Sequence, residues 1–457
     1  MNTLQIIQNQ RDFFSSQQTK SIAFRKKALK KLQNELINRE HEIITALYND
    51  FKKSEYEAVM TETTIVLSEL KKTLKNLYKW SKPKRVLPAI LNFPSSAKIH
   101  KEPYGVSLII APWNYPFQLA FAPLIGAVAA GNTVVLKPSE LTPHTSKITR
   151  EIIEAVFDKN HVSVIEGGVA VSQELLAQRW DYIFFTGSVP VGKIVAKAAA
   201  EHLTPITLEL GGKSPCIVDE TANIKLTAKR IIWGKFINGG QTCIAPDYLL
   251  IHSSVKDKFV TSFKEELKIA YGDQPKDSPD FPRIVNTKNF DRLALMLENV
   301  TCLTGGDTNR EEKYIAPTLI DNPELDSEVM KGEIFGPILP LITYETENDI
   351  DNVISKYDKP LALYLFSNRK KFANRIIEKY SFGGGTINDT TVHFANHRLP
   401  FGGVGESGIG SYHGQKTFDT FSHHKGVVTR GTWLDIPTRY APYKGKLKQL
   451  RFLTKWG

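Results

Sequence analysis

The stretch that decides the fold is GVSLIIAPWNYPFQLAFAPLIGAVAAGNTVVLK, residues 105–137, which carries no charge before Lys137. So long an uncharged run raises the question of a membrane-spanning helix. Its prolines and the Trp113-Asn114 pair argue against that interpretation, because they would interrupt a spanning helix with polar backbone. The pattern instead predicts a buried strand (106–110), a turn (111–116), a buried helix (117–130) capped by Gly131-Asn132, and a second strand (133–136).

The alternation of strand and helix continues beyond this unit. After a helix that reaches Phe157, we predict a strand at 162–165, a helix near 171–178, a strand at 182–186 and a helix through Ala200. A second unit begins near Leu208, with a predicted strand (216–218), helix (223–237), loop (278–286) and helix (293–300). Strands that are apolar throughout are typical of a parallel sheet covered on both faces, so the predicted fold class is α/β. Ligands bind at the carboxyl ends of such strands, which points to Asn114, Lys137 and Gly187.

Chain length, cysteine content and the segment before residue 105 limit the possible domain organisation and location of the protein. Residues 1–82 have the periodicity of amphipathic helices, and prolines at 83, 88 and 94 end that pattern before an extended segment, 97–105. A chain of 457 residues exceeds the usual single core, which predicts two or three lobes. The first twenty residues lack the apolar region of a secretory signal, and the three cysteines fit neither a disulfide framework nor a metal motif. We therefore expect a cytoplasmic protein without a metal site.

The chain is basic, with a net charge of +11. Such a balance raises nucleic acid or an anionic membrane as partners. Much of the excess lies among the helix-periodic leucines of residues 26–36 and 70–85, where a solvated helix face explains it. No nucleic-acid-binding motif accompanies these lysines, so we expect no nucleic-acid partner.

The candidate nucleophile is Cys243, in the turn NGGQTCIAP, residues 238–246. Its two glycines allow a positive φ or close approach to a ligand, and Pro246 limits regular structure behind the thiol. Taken alone, this residue could equally be a small buried cysteine in a turn. Its interpretation therefore depends on residues elsewhere in the chain.

A dinucleotide site is predicted at FTGSVPVG, residues 185–192, where a strand leads into a helix. The free N–H groups of that helix would meet a pyrophosphate near Gly187, Ser188 and Gly192. The perfect GxGxxG at 403–408 follows no buried strand and is predicted to be a loop. Lys137 and Glu140 suit the two hydroxyls of an adenosine ribose, and a carboxylate there favours NAD over NADP; as isolated residues they would be a surface ion pair.

Three further residues in apolar surroundings are candidates for chemistry. Glu209, in LELGGK (208–213), would have a raised pKa suited to a general base, unless it caps a helix. Glu333, in EIFGP (333–337), is a second such acid, followed by Phe335, whose ring could lie against a flat heterocycle. Asn114 could direct its amide at an oxyanion or simply form the turn.

Together these motifs resemble the aldehyde dehydrogenase superfamily. PWN (112–114), KPSE (137–140), FTGS (185–188), ELGGK (209–213), GQTC (240–243) and EIFGP (333–337) occur in the order seen in that family. The glycine-rich stretch 400–414 and FDTFSH (418–423) resemble its class 3 branch, which includes fatty aldehyde dehydrogenases. The resemblance covers nearly the whole chain.

The resemblance implies a Rossmann-like cofactor domain (1–82 and 106–208), an α/β catalytic domain (209–395), a small bridging or oligomerisation β domain (83–105 and 396–430) and a basic tail (431–457). It implies that Cys243 is the nucleophile, Asn114 an oxyanion donor and Glu209 the base for hydrolysis. The cofactor residues that it implies are Lys137 and Glu140 on the adenosine ribose, Gly187, Ser188 and Gly192 near the pyrophosphate, and Glu333 at the nicotinamide ribose. Phe335, whose ring could lie against the flat heterocycle, completes the predicted cofactor residues. It further implies a homodimer that uses NAD, and often NADP as well.

The expected substrate is a medium- or long-chain aliphatic or aromatic aldehyde, oxidised to the carboxylic acid through a thioester. The predicted pocket residues, each of which could instead be an ordinary core residue, are Tyr115, Trp233, Thr242, Phe394 and His413. Two alternatives stay open: a CoA-acylating relative, which Glu209 disfavours, and a catalytically idle structural or lipid-surface protein. In the tail, lysines interleave with Leu447, Leu450, Leu453 and Trp456, a pattern that fits docking on the protein itself or weak contact with anionic lipid.

Overall fold

The computed structural model describes residues 2–89 and 92–454, so residue 1 and the last three residues of the predicted tail, including Trp456, lie outside the described residues. The helices are α1 Thr3–Ser15, α2 Ile22–Asn38, α3 Glu40–Phe51, α4 Glu55–Ala58, α5 Thr64–Ser81, α6 Gln118–Ala130, α7 Pro143–Val156, α8 Val169–Leu176, α9 Val189–Ala200, α10 Ile224–Phe236, α11 Lys256–Tyr271, α12 Thr287–Leu295, α13 Glu328–Lys331, α14 Glu347–Ile354, α15 Lys370–Lys379, α16 Gln415–Thr420 and α17 Leu447–Thr454. The strands are β1 Lys84–Val86, β2 Ser95–Pro103, β3 Val106–Ile110, β4 Thr133–Lys137, β5 Val162–Val164, β6 Tyr182–Thr186, β7 Ile206–Glu209, β8 Pro215–Val218, β9 Tyr248–His252, β10 Cys302–Thr304, β11 Thr308–Asn309, β12 Tyr314–Ile315, β13 Thr318–Asp321, β14 Ile338–Tyr344, β15 Ala362–Phe366, β16 Gly384–Ile387, β17 Gly408–Ile409 and β18 Ser422–Arg430.

Residues 3–81 are mostly helical, as their periodicity predicts. Side chains of Asn2, Ser21 and Ser54 cap α1, α2 and α4 by accepting a backbone N–H of the first turn. A π-helical turn, Val59–Thr63, carries the chain from α4 into α5 without a break. Such turns occur frequently at functional sites.

The first large sheet has the strand order β17-β7-β6-β3-β4-β5, in which all pairs are parallel except that between β17 and β7. The order of the strands along the chain reverses between β3 and β6. The register pairs Ile110 with both Lys137 and Phe185, so the carboxyl ends of β3, β4 and β6 lie side by side. This arrangement confirms the predicted α/β fold class and makes the point between β3 and β6 a binding crevice.

Helix α6 is buried along its whole length, which explains the long uncharged run in the sequence. It packs against α2, α5 and α16. Glu62 fixes its start by accepting the N–H groups of Phe117 (3.0 Å) and Gln118 (2.8 Å), while Lys53 neutralises the same buried carboxylate at 2.8 Å. Gly131, with φ of 100°, ends the helix. The predicted strand, helix and cap are thus confirmed.

The second large sheet has the order β10-β13-β14-β9-β8-β15-β16, and only β10 runs antiparallel to its neighbour. The predicted helix at 293–300 is wrong in its bounds, because α12 begins at Thr287 and ends at Leu295. Its start is set by Asn286, whose side-chain oxygen accepts the N–H of Asn289 at 2.8 Å. An N-cap signal was therefore present in the sequence and overlooked.

A small antiparallel sheet is made from two distant parts of the chain, in the order β1-β2-β18. The predicted bridging segment 396–430 contributes only β18 to it. Residues 408–409 of the same segment pair with β7, and α16 packs on α6, so that part belongs with the first large sheet. After β18 the chain runs to α17, and no helix among the described residues has the length and apolar character needed to cross a membrane.

Candidate active site

Cys243 lies at the end of a turn with an unusual backbone. Asn238, Gly239 and Gly240 all have positive φ, of 55°, 61° and 74°. A Cβ at position 240 would overlap the carbonyl group of Gly336, so glycine is required there by close approach as well as by conformation. The glycines were expected from the sequence, but the left-handed Asn238 was not.

Two amide side chains hold this turn. Gln241 donates from Nε2 to the carbonyl oxygens of Asn238 (2.9 Å) and Arg283 (3.1 Å), and its Oε1 accepts the N–H of Val285 (3.0 Å). Asn238 donates from Nδ2 to the carbonyl oxygens of Asn114 (2.7 Å) and Gln241 (3.1 Å). The turn is therefore tied to two other loops, and the thiol is presented from a fixed backbone.

Asn114, which is 3 % exposed, lies next to this turn at the carboxyl end of β3. Its Nδ2 donates to the carbonyl oxygen of Gln241 at 3.1 Å, two residues before Cys243. An amide nitrogen carries two hydrogens, so a second donor remains for another acceptor. A residue that sequence reasoning missed supports the arrangement: the buried Glu57 accepts the backbone N–H of Asn238 at 2.8 Å.

A cavity of about 400 Å³ brings the principal candidates together. Cys243 and Glu209 both line it, as do four of the predicted pocket residues: Tyr115, Trp233, Thr242 and Phe394. The hydroxyl groups of Tyr115 and Thr242 lie 2.6 Å apart, which fixes the wall beside the thiol. Most of the remaining wall is apolar, and part of it comes from the π-turn and α5.

His413 does not line the cavity, contrary to the prediction. Its φ of 95° places the ring between Phe401, at 5.3 Å, and Phe394, at 4.5 Å, so it packs behind the wall. His397 lines the cavity instead. No pattern in the sequence distinguishes these two histidines, because each lies in an irregular segment whose path depends on tertiary contacts.

The thiol of Cys243 is held in its neutral form. Burial, followed by the negative charges of Glu333 and Glu209, raises its pKa above the ordinary value, while the N–H groups of Cys243 and Ile244 lower it in part. Glu209, at the end of β7, is 2 % exposed, and both of its carboxylate oxygens lack a hydrogen-bond partner. Burial raises the pKa of Glu209 well above its usual value, so the site favours its neutral form, and its carboxylate, once the proton has left, is a stronger base toward water than that of an exposed glutamate.

Glu333 lies against the glycine pair that follows Glu209. Its carboxylate accepts the N–H of Gly212, and a Cβ at Gly211 would overlap that carboxylate. Burial and the nearby Asp247 raise the pKa of Glu333 to about 8. Phe335, two residues later, has φ of 53° and its ring meets that of Trp113 edge-on at 5.2 Å.

The remaining predicted cofactor residues lie at the carboxyl edge of the first sheet. Lys137, at the end of β4, is 3 % exposed and its Nζ lies 2.8 Å from Oε2 of Glu140. Gly187 and Ser188 join β6 to α9, which also contains Gly192. The side chain of Ser188 does not cap α9, so the N–H groups of the first turn stay available for an anion. These donors, the acids Glu140 and Glu333 and the crevice fit a dinucleotide. No group of three or more side chains that could hold a metal ion occurs in residues 2–89 and 92–454.

Comparison with known proteins identifies the family of the whole chain. The model of the aldehyde dehydrogenase family matches residues 2–427. The 4,4'-diaponeurosporen-aldehyde dehydrogenase of Staphylococcus aureus (strain NCTC 8325 / PS 47) is 50% identical over 445 residues, which cover 97% of this chain and 97% of that one. Aldehyde dehydrogenase family 3 member A2 of Macaca fascicularis is 45% identical over 424 residues, or 93% of this chain and 87% of that one. A solved structure of the substrate-bound state of Staphylococcus aureus AldH has a TM-score of 0.97 at 49% identity and covers 99% of this chain and 100% of that chain.

The chain therefore belongs to the aldehyde dehydrogenase family. It is an oxidoreductase that oxidises aldehydes to acids, as the sequence predicted. Enzymes of this family use NAD or NADP. The matched relatives include family 3 members, in agreement with the predicted branch.

Proposed function

We propose that this enzyme oxidises medium- or long-chain aliphatic or aromatic aldehydes through a thioester on Cys243. The observation that carries the proposal is the shared cavity, in which a thiol and an unpaired acid, Cys243 and Glu209, face an otherwise largely apolar space. An apolar wall binds a hydrocarbon chain by removing it from water. A cysteine and a base in one dry site are the groups that covalent acyl chemistry needs.

In the proposed reaction, the Cys243 thiolate bonds to the carbonyl carbon and the carbonyl electron pair moves to oxygen. The Asn114 amide and the Cys243 backbone N–H hold that oxyanion. NAD(P), which the first turn of α9, Lys137, Glu140 and Glu333 would hold, would supply the acceptor for the hydride on the same carbon, and Cys243 would then carry the acyl group as a thioester. Glu209 then takes a proton from water as the water oxygen bonds to the acyl carbon, and the thiolate departs to release the acid.

For the cofactor, we propose that NAD is preferred and NADP is also accepted. The pair of Lys137 and Glu140 supports this, because the carboxylate disfavours a 2′-phosphate and the adjacent ammonium group reduces that repulsion. The first turn of α9 would hold the pyrophosphate, and Glu333 the nicotinamide ribose.

The test is a panel of aldehydes of increasing chain length, assayed by formation of reduced nucleotide with NAD and with NADP. We expect kcat/KM to rise with chain length by up to about tenfold for every two methylenes, at roughly 0.8 kcal/mol each, until the cavity is filled. We also expect a higher kcat/KM with NAD. Turnover that requires coenzyme A would instead favour the acylating alternative, and no turnover with any aldehyde would favour a catalytically idle protein.

We propose that the enzyme is a cytoplasmic homodimer. Only one side of β18 is paired, and residues 423–429 along it are exposed, including Val427 and Val428. An open strand edge of this kind, with unpaired backbone groups, suits pairing with a second copy. Sedimentation of the full chain should give twice the mass of one 51.4 kDa chain, and a monomer at micromolar concentration would contradict the proposal.

The tail is proposed to make weak contact with anionic lipid. Tyr443, Leu447 and Phe452 are exposed apolar residues next to the lysines at 444, 446 and 448. Liposomes containing an anionic lipid should sediment more of the full chain than of a chain ending at Pro442, and added salt should remove the difference. Equal sedimentation of the two chains would refute this contact.

A further inference from the structure

A polar group interrupts the apolar wall of the cavity. Ser68 and His397 both line it, and the Oγ of Ser68 lies 3.3 Å from Nε2 of His397. Behind them, Oε2 of the buried Glu69 lies 3.1 Å from Nδ1 of His397, at ion-pair distance although not aligned as a hydrogen bond. Neither Ser68 nor His397 has a role in the proposed reaction.

This group lies away from the end of the cavity that holds the thiol. The α4–α5 helix begins at the catalytic turn, where Glu57 accepts the N–H of Asn238. Ser68 is eleven residues further along the same helix, or roughly 16 Å at about 1.5 Å per residue. Arg398, next to His397, is exposed. Ser68 and His397 therefore lie toward the solvent end of the cavity, beyond the reach of a short aldehyde bound at Cys243.

The chemistry of the three side chains specifies what this end can bind. A carboxylate beside Nδ1 favours the tautomer with its proton on that nitrogen, which leaves Nε2 as an acceptor. The Ser68 hydroxyl can both donate and accept. A ligand hydroxyl group can donate to Nε2 and accept from Ser68 at the same time, whereas a terminal methyl group satisfies neither.

We propose that Ser68 and His397 form a binding subsite for a hydroxyl group at the far end of an aldehyde, positioned by Glu69. The proposal rests on the proposed function, because it names the substrate class of the same cavity. It assigns to this enzyme a preference for hydroxyaldehydes over alkyl aldehydes of the same length. The exposed Ser68 and the half-buried His397 bond to each other at the cavity wall, so a ligand hydroxyl that bonds to both adds one hydrogen bond that the alkyl analogue cannot make.

The test compares a terminal hydroxyaldehyde with the alkyl aldehyde of equal chain length, across several lengths, with full-length enzyme. The readout is selectivity, defined as the ratio of the two kcat/KM values, from which general damage to the enzyme cancels. At the length that spans the cavity, we expect Ser68→Ala and His397→Gln each to lower selectivity about tenfold, the effect of about 1.4 kcal/mol. Ser68→Thr should retain most of it, because the hydroxyl remains.

The matched control is His41→Gln, which replaces an exposed histidine on α3 and should keep wild-type selectivity. Unchanged selectivity in both Ser68→Ala and His397→Gln, in an enzyme that oxidises alkyl aldehydes, would overturn the subsite and leave the proposed function standing. A wild-type enzyme that oxidises no aldehyde would instead refute the proposed function.

Discussion

Replacing Cys243 by alanine is expected to lower kcat/KM for aldehyde oxidation by about four orders of magnitude or more, because neither of the other two cysteines lines the cavity and the hydroxyl groups there are far weaker nucleophiles than a thiolate. The matched control is Cys302→Ala, which removes an exposed cysteine on β10 and should leave activity unchanged. The measurement is the steady-state rate of nucleotide reduction. Activity of the Cys243→Ala enzyme within tenfold of wild type would refute the nucleophile assignment.

The same assignment has a pH dependence of defined sign. Only the thiolate attacks the aldehyde, and burial together with the charges of Glu333 and Glu209 raises the pKa of Cys243. The reactive fraction of free enzyme therefore grows as pH rises through the neutral and alkaline range, so kcat/KM should increase with pH. The measurement is kcat/KM between about pH 6 and pH 9, an interval that includes the ordinary pKa of a cysteine thiol. A value of kcat/KM that does not change over this interval would show that the thiol is already ionised in the free enzyme.

Replacing Glu209 by glutamine is expected to separate the two halves of the reaction. Formation of the thioester does not need a base that activates water, so one equivalent of reduced nucleotide per site should still appear rapidly. Steady-state turnover should then fall by about 100- to 1,000-fold, because the acyl group waits for hydrolysis. Intact-mass measurement of the quenched enzyme should show the acyl adduct on the chain that carries Cys243.

Glutamine is the appropriate substitution because the buried site already favours a neutral side chain at position 209. Glu201→Gln, at an exposed position after α9, serves as the control and should turn over as wild type. Wild-type steady-state turnover in the Glu209→Gln enzyme, without an accumulated adduct, would contradict the role of Glu209 as the hydrolytic base.

Most of the carboxyl edge of the first large sheet could be predicted from the sequence, because its strands and helices are determined by residues that lie close together along the chain. β3, α6 and β4 follow from an uncharged run that only a fully buried strand-helix-strand unit can satisfy. The turn before Cys243 likewise has a local signal, since the positive φ of Gly239 and Gly240 favours glycine. These features depend on residues that are neighbours along the chain.

Features that depend on distant contacts were not predicted correctly. His413 was chosen and His397 missed, because the direction of each ring is set by the packing of aromatic residues from other segments. Glu57 and Ser68 lie in an amphipathic helix, where nothing in the periodicity shows that a π-turn directs part of one face into a cavity. Sequence motifs thus indicated the candidate reacting groups, and the structure was needed to find the residues that shape the space around them.

The contact between Gly240 and Gly336 also couples the position of Cys243 to the loop at residues 333–337. The backbone of the turn that presents Cys243 presses directly on the loop that contains Glu333 and Phe335, with no side chain between them to absorb a displacement. A displacement of residues 333–337 would therefore also displace the backbone that presents Cys243. Such a coupling would make the position of the Cys243 thiol depend on whether a nucleotide is bound.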